Sequence, residues 1–570
     1  MLQKTFAKLR LEHFLLGAIA IAVLIRVCYV GARELWYDEA LSLLLSTGQK
    51  GSYITPPDLP VALADYARLL ELPPSGLADS LFQIKPLFQG IVGQEPHPPL
   101  FYLSQYVWLF VAGTDEAGLR SLNLILSLVA MVGAFGMGRS LLGYRAGLMM
   151  AALLGLNPFF WFHSLNLRMY ALTVLWVTLS GWATLELYYR QKTLSRQQRW
   201  LWCGVLTAAI AGGLLTFYLY ALWLVALSVL AFLSLDNPER PSIHLRRSSW
   251  QYGLCLGAGI LFVSPWYAWG LPQQLRNADL ERFSASQSAI DAVLQHLRGI
   301  LEVIGIQLGV GDWAAALPDV VPAIIGLGLL LGLAGMVAQL IQQGSLQFAS
   351  IALLLGALPL LLALSLDILS NRSTLAWGDG RSVIFILPGL LLLVTIWLMQ
   401  LPQRWQHSVI VGCLLVYLGL NLSDMVGRER QVFHSVFSTV KSATEPTLLV
   451  INSKAWGHIC RLAYYLPTGS KIDLLAVSPA DLPGTLVTVL GNSAAPYSRV
   501  LWLEAHKPLW DQPETDAEAN QIRQSVVSTL TQGYAFIQKQ ELSGTTLLDR
   551  FSLTVYEHSQ AKSWAASNSF

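Results

Sequence analysis

From residue 13 to residue 422 the chain returns again and again to apolar runs long enough to cross the ~30 Å hydrocarbon core of a bilayer. Runs of that length, repeated over three quarters of a chain, leave a polytopic helical membrane protein as the architecture. Composition agrees: 13% of residues are charged, about half the roughly 25% of an ordinary soluble domain. The net charge of +2 gives no reason to expect nucleic acid as a partner. Cys28, Cys203, Cys255 and Cys413 lie within apolar runs and only Cys460 lies outside. That spacing supports neither a disulfide framework nor a C-x-x-C metal site. The first run, 13–30, is longer than a signal-peptide core and precedes no cleavage site, so it reads as a retained helix.

Orientation follows from the basic residues. Lys4, Lys8 and Arg10 precede the first span, which places the N-terminus in the cytoplasm. Arg26, near the outer end of that span, is expected to snorkel. An outer loop, 31–96, follows, with short apolar patterns at 41–45 and 77–92 that suit interfacial helices. The run 98–112 is short for a span. If it crossed, the loop with Arg139 and Arg145 and the basic Arg190–Arg199 loop would both fall outside, against the positive-inside rule. It is therefore assigned to the interface as well. Spans are then expected at 119–142, 146–163, 168–189, 200–216, 220–235 and 252–270. After a polar outer loop, 271–317, they continue at 320–341, 351–369, 381–399 and 408–422. About eleven spans result, an odd parity that puts the C-terminal part outside. Strand-like runs at 447–451, 474–477, 486–490 and 500–504, with helical segments at 454–465 and 517–530, predict a small α/β domain. The expected division is thus a membrane domain, 1–425, whose outer catalytic loop is 31–118, and an outer soluble domain, 426–570.

Chemistry-bearing residues gather at the expected outer face. Asp38 and Glu39 directly follow the first span. Carboxylates there suit the positive end of a short helix, and equally a general base that deprotonates an acceptor. His97-Pro98-Pro99 is a competent helix start, and such an end is also an anion site where an imidazole can meet a phosphate. Arg168 and Arg381 stand at the outer starts of two spans, against the usual charge bias. Snorkelling explains them, and so does a guanidinium fork on a phosphate; for Arg381, pairing with Asp379 is a further explanation. Tyr37, Tyr170, Tyr218 and Asp379 are candidate cavity-lining residues. Trp36, Trp161, Trp266, Trp269 and Trp377 suit an aromatic belt.

In chain order, Trp36-Tyr37-Asp38-Glu39-Ala40, His97-Pro98-Pro99-Leu100-Phe101-Tyr102, Gly118-Leu119-Arg120-Ser121-Leu122, Ser164–Leu172 with Arg168-Met169-Tyr170, and Gly380-Arg381-Ser382…Leu387-Pro388 resemble the GT-C superfamily of membrane glycosyltransferases. Within it the chain looks like bacterial relatives of protein O-mannosyltransferases and of aminoarabinose lipid A transferases, over about 10–425. The resemblance implies an inverting transferase in the inner membrane that uses a polyprenyl-phosphate sugar on the periplasmic side. It implies Asp38 as the catalytic base, with Glu39 its neighbour. His97 falls where the aminoarabinose transferases carry a lysine on the donor phosphate, and Arg168 and Arg381 match arginines around that phosphate or the cavity mouth. The acceptor, whether lipid, glycan or protein, stays open. Two departures, Asn166 in place of an acidic residue and Phe217 in place of a histidine, weaken the case for a metal site. A divalent cation therefore stays an open question. The rival class is a transporter or flippase of lipid-linked sugars, which would need internal repeats and discontinuous helices; no such repeat is visible.

Overall fold

The structure is a computed structural model that describes residues 2–72, 77–189, 193–232, 247–277, 284–286, 288–375, 378–428, 430–439, 446–492, 497–509, 511–544 and 547–559. Arg190, Lys192, Arg240, Arg246 and Trp377 lie outside the described residues. The chain forms two units: Met1–Gly31 with Ile91–Trp108 and Ala117–Gly427, and Ala32–Gly90 with Leu109–Glu116 and Arg428–Phe570.

The first unit is a helical bundle of a multi-pass membrane protein. Among the described residues, 8 helices are long and apolar enough to cross a bilayer, or 9 if one bent pair counts as a span. About eleven were expected, and the difference has identifiable sources. Tyr170–Tyr189, Arg196–Leu214 and Tyr220–Phe232 are helices, but each falls short in length or apolarity. The first of them is buried along nearly its whole length, from Tyr170 to Tyr188, so neighbouring helices shield its Thr and Ser hydroxyls. Conversely, the supposed polar loop 271–317 contains the helix Ala289–Gly305, part of a candidate span, Ile290–Ala316. The helix carries Asp291, Arg298 and Glu302 along one side and the exposed Ile290, Val293, Leu294 and Leu297 along the adjoining one. It crosses Val320–Gln342 at backbone distance: a Cβ added at Gly326 would lie 1.7 Å from the Leu301 carbonyl oxygen, and one at Gly305 2.0 Å from that of Pro322.

The expected span 146–163 is a broken helix, Tyr144–Leu156 and Pro158–Ser164, bent by 66°. Pro158 ends the first piece because it lacks an N–H and its ring obstructs the preceding turn. Two carbonyls that would have bonded Phe159 and Phe160 are thereby released, those of Gly155 and Leu156. In a bilayer such groups need protein partners. Arg26 donates to Gly155 at 2.5 Å and to Ser164 Oγ at 3.2 Å. Asn421 donates to Leu156 at 2.9 Å, and the Asn157 side chain caps the second piece at Phe160 N–H, 2.9 Å. Arg26 therefore does not snorkel. It is fully buried, bonded to the freed Gly155 carbonyl, the Ser164 hydroxyl and the Ala22 carbonyl of its own helix. Trp36 and Trp161 are likewise buried rather than belt residues, whereas Trp269 is half exposed.

The second unit is built on a six-stranded mixed sheet. Its strands are β1 (Val61–Ala62), β2 (Thr447–Ile451), β3 (Ile472–Ala476), β4 (Arg499–Ala505), β5 (Tyr534–Ser543) and β6 (Arg550–His558), in the order β1-β3-β2-β4-β6-β5. β2 lies parallel to β3 and β4, with Leu449 opposite Leu474 and Leu501. β2 is buried at every position, as an unbroken apolar run in a parallel centre should be. β6, β5 and β1 add antiparallel edges. The expected strand 486–490 is instead part of the helix Leu482–Asn492. Leu482, Leu486 and Val489 recur at helical spacing and enter the core with Val450, Leu475 and Trp502. A short apolar run does not distinguish the two periods by itself.

Candidate functional site

Asp38 lies in the first turn of the helix Tyr37–Ser46, half-buried, with Glu39 beside it. The two carboxylates have different surroundings. Glu39 is 1% exposed, and its Oε2 accepts the Trp36 N–H at 3.1 Å, so it caps its own helix. Asp38 instead remains partly open beside the positive end of that helix. The preceding residues are tightly fixed. Leu35 N–H donates to the Tyr465 hydroxyl at 2.7 Å. The Glu34 carboxylate accepts from Phe433 N–H (3.0 Å), His434 N–H (2.6 Å) and the His434 ring (2.7 Å). Burial pushes Glu34 above the usual carboxylate range, against the opposing pull of those hydrogen bonds. Sequence reasoning missed Glu34, whose only signal was its place four residues before Asp38.

In the first unit, His97 meets the buried Glu95 carboxylate through Nδ1. Burial alone would raise Glu95; attraction to His97 and Arg168, with hydrogen bonds from His97 and Tyr102, outweighs it and holds the carboxyl low. Arg168 Nη1 donates to the Tyr102 hydroxyl at 3.5 Å. His97 thus meets the Glu95 carboxylate directly, and Arg168 is joined to the group through Tyr102. Arg168 is placed by its own backbone: Asn123 Nδ2 donates to the Arg168 carbonyl at 2.9 Å and also to that of Asn166. Pro98 and Pro99 open the helix Leu100–Ala112, with Leu103 N–H on the Pro99 carbonyl at 3.0 Å.

A second layer supports this cluster. Phe217 stacks on the His97 ring, centroids 5.7 Å apart at 16°. Gln274 Nε2 donates to the carbonyls of Ile91 (3.2 Å), Glu95 (2.6 Å) and His97 (2.9 Å). Its Oε1 accepts from the Tyr218 hydroxyl, which in turn accepts from Trp266 Nε1 at 3.0 Å. Tyr218 therefore belongs to the group, and Gln274, which no sequence pattern marked, holds it to His97. Tyr170 packs edge-on against His163, centroids 4.9 Å apart.

Arg381 opens the 3-10 turn Arg381–Ile386 after three consecutive left-handed residues: Gly378 (φ +74°), Asp379 (φ +54°) and Gly380 (φ +74°). For the non-glycine Asp379, which is exposed, this conformation costs on the order of 1 kcal/mol. Gln307 Nε2 secures the turn at the Gly380 carbonyl, 2.9 Å. A Cβ at Gly378 would stand 2.8 Å from Arg381 Nε, so glycine leaves the guanidinium its room. The same turn carries Phe385, 6.4 Å from the Phe217 ring. His97, Arg168, Tyr218 and the Arg381 turn are thus linked within the first unit, while Tyr37, Asp38 and Glu39 belong to the second. Among the described residues, no three His, Cys, Asp or Glu side chains group to hold a metal ion.

Residues 96–269 match the family described as dolichyl-phosphate-mannose-protein mannosyltransferase. No curated protein matches the chain by sequence. Among solved structures, ArnT from Cupriavidus metallidurans in the apo state is similar at 11% identity over 95% of this chain and 98% of that one, with a TM-score of 0.50. The same protein bound to undecaprenyl phosphate is similar at 12% identity over 95% and 98%, TM-score 0.44. The archaeal oligosaccharyltransferase AglB from Archaeoglobus fulgidus, in complex with an inhibitory peptide and a dolichol-phosphate, is similar at 11% identity over 96% and 75%, TM-score 0.42. The sequence resemblance is thereby borne out: 96–269 match the dolichyl-phosphate-mannose-protein mannosyltransferase model, and the chain has a fold like that of ArnT.

Proposed function

We propose that the chain is an inverting glycosyltransferase that moves a sugar from a polyprenyl-phosphate donor to an acceptor at the outer face of the membrane. The observation that carries this reading is the Glu95–His97–Tyr102–Arg168 cluster, which lies almost wholly in the family-matched stretch. It gathers the Arg168 guanidinium, the His97 imidazole and the Tyr102 hydroxyl, donors that suit a phosphate anion, around a single buried carboxylate. Asp38 takes the proton of the acceptor's nucleophile as that atom attacks the anomeric carbon. The bond from that carbon to the phosphate oxygen breaks on the opposite face, so the product is inverted. The electron pair leaves with the lipid phosphate, whose charge His97, Arg168 and Arg381 stabilise. Glu39 keeps the helix start in place. The outer location rests on Lys4, Lys8 and Arg10 ahead of the first span.

A flippase would rely on paired discontinuous helices whose freed carbonyls line the path of a substrate. Among the described residues there is one broken pair, and its Gly155 and Leu156 carbonyls accept from Arg26 and Asn421. The test is to reconstitute the full chain with a labelled polyprenyl-phosphate hexose and membrane acceptor fractions. The expected result is free polyprenyl phosphate in step with labelled product of inverted anomeric configuration. Counterflow of intact donor lipid with no covalent product would replace the transferase reading with the flippase.

A further inference from the structure

Tyr37 and Leu35, on the N-terminal side of Asp38, are held by one helix of the C-terminal part, Trp456–Tyr464, and by Tyr465, which follows it. Tyr37 lies flat on Gly457: a Cβ there would stand 2.6 Å from ring carbons Cδ2 and Cε2 and 2.7 Å from Cζ. Gly457 has no left-handed backbone, so glycine stands there for space rather than for conformation. The His458 ring meets Tyr37 edge-on, centroids 5.5 Å apart at 89°, and the Arg461 guanidinium lies 5.8 Å from the Tyr37 centroid. Neither neighbour is loose. Arg461 is paired at 2.5 Å with Asp549, both 2% exposed, and covers the Phe433 ring at 4.6 Å. His458 contacts Ser453 Oγ through Nδ1 (3.0 Å) and the Leu548 carbonyl through Nε2 (3.2 Å).

The same helix grips the loop on both sides of Asp38. Before it, Tyr465, the residue that caps the helix, accepts the Leu35 N–H. After it, Lys50 sits 4.0 Å over the Trp456 ring, and Lys454, just ahead of the helix, pairs with Asp58 at 2.8 Å. Farther along, β1 adds the loop to the sheet as a strand beside β3. A surface that merely covered the loop would bring side chains to both partners. Here a bare backbone position receives the ring next to Asp38, and a methyl group there has nowhere to go.

We propose that the C-terminal part is a component of the active site: Gly457, His458 and Arg461 are positioning residues that set Asp38 through the Tyr37 ring. This rests on Asp38 acting as the base. An error of about 1 Å in a reacting group costs on the order of 10²-fold in rate, and a methyl at Gly457 demands a displacement of that size.

The experiment is Gly457→Ala in the full-length chain, with kcat and KM for a polyprenyl-phosphate hexose, thermal unfolding, and the same substitution in a Tyr37→Ala background. The expected result is kcat down by tenfold or more and KM within about twofold, with the protein still folded at the assay temperature. With the Tyr37 ring removed, Gly457→Ala then adds no further loss, a non-additivity that separates positioning from general damage. Should Gly457→Ala lower the unfolding midpoint, Tyr37→Leu, which leaves the C-terminal helix intact, reads the same coupling and is expected to lower kcat at constant KM. Unchanged kcat in either variant, or an equal loss from Gly457→Ala in both backgrounds, overturns the proposal. Asp38→Asn is assayed alongside. Its inactivity beside a fully active Gly457→Ala would refute positioning and leave the base standing, whereas an active Asp38→Asn would refute the base itself.

Discussion

His458 makes the C-terminal part sensitive to acid in a calculable way. Its imidazole is fully buried, and burial first, then the Arg461 charge, holds its pKa at about 3 against 6.5 when free, with Asp549 and the Leu548 carbonyl pulling the other way. Between those values the unfolded chain binds a proton that the folded chain refuses, so folding stability rises with pH there. The stability is complete above about 6.5 and is lost as pH falls from there towards 3. At 1.36 kcal/mol per pH unit at the limiting slope, a fall from pH 7.5 to 5 costs ~2 kcal/mol. The assay is hydrogen exchange of the β2 and β4 amides in the full chain at several pH values, beside His458→Asn. Other titrating groups contribute to both proteins and cancel in the difference. The wild-type minus variant stability should fall by ~2 kcal/mol over that interval. Equal slopes for the two would show that His458 is not held neutral and would refute the reasoning.

Two more outcomes follow from close contacts. Gly326→Ala puts a methyl group into the Leu301 carbonyl and should cost about 1–3 kcal/mol through forced separation of the two helices, read as a lower thermal midpoint in detergent; an unchanged midpoint would mean that the crossing is not this close. Gln274→Leu leaves the carbonyls of Ile91, Glu95 and His97 without their shared donor, at about 1–3 kcal/mol; it should raise KM for the donor lipid, and normal KM and kcat would remove Gln274 from the supporting layer.

What was legible in the sequence was whatever local pattern controls. The runs 119–142, 320–341 and 381–399 became the helices Glu116–Leu142, Val320–Gln342 and Leu387–Gln400, and β2 and β4 appear where short apolar runs placed them. β5 went unseen because its exposed, polar face carries no apolar alternation. Arg26 was misread because it bonds the Gly155 carbonyl, set free at the Pro158 break more than a hundred residues away. The order of Asp38, His97, Arg168 and Arg381 was visible, but the groups that place them were not. Gln274 and Glu95 meet His97 only through the fold, and Gly457 acquires meaning only once Tyr37 lies on it. In the sequence only the family resemblance set Asp38 apart from Glu39; in the structure a backbone N–H at Trp36 separates them.

The most direct test of the account is sugar transfer by purified Asp38→Asn in a single turnover, with labelled polyprenyl-phosphate hexose in excess of its KM and the acceptor fraction that supports wild-type transfer. Loss of a general base costs about 10²–10⁴-fold. The account predicts a loss in that range with donor binding and thermal midpoint preserved. Transfer at the wild-type rate would contradict it.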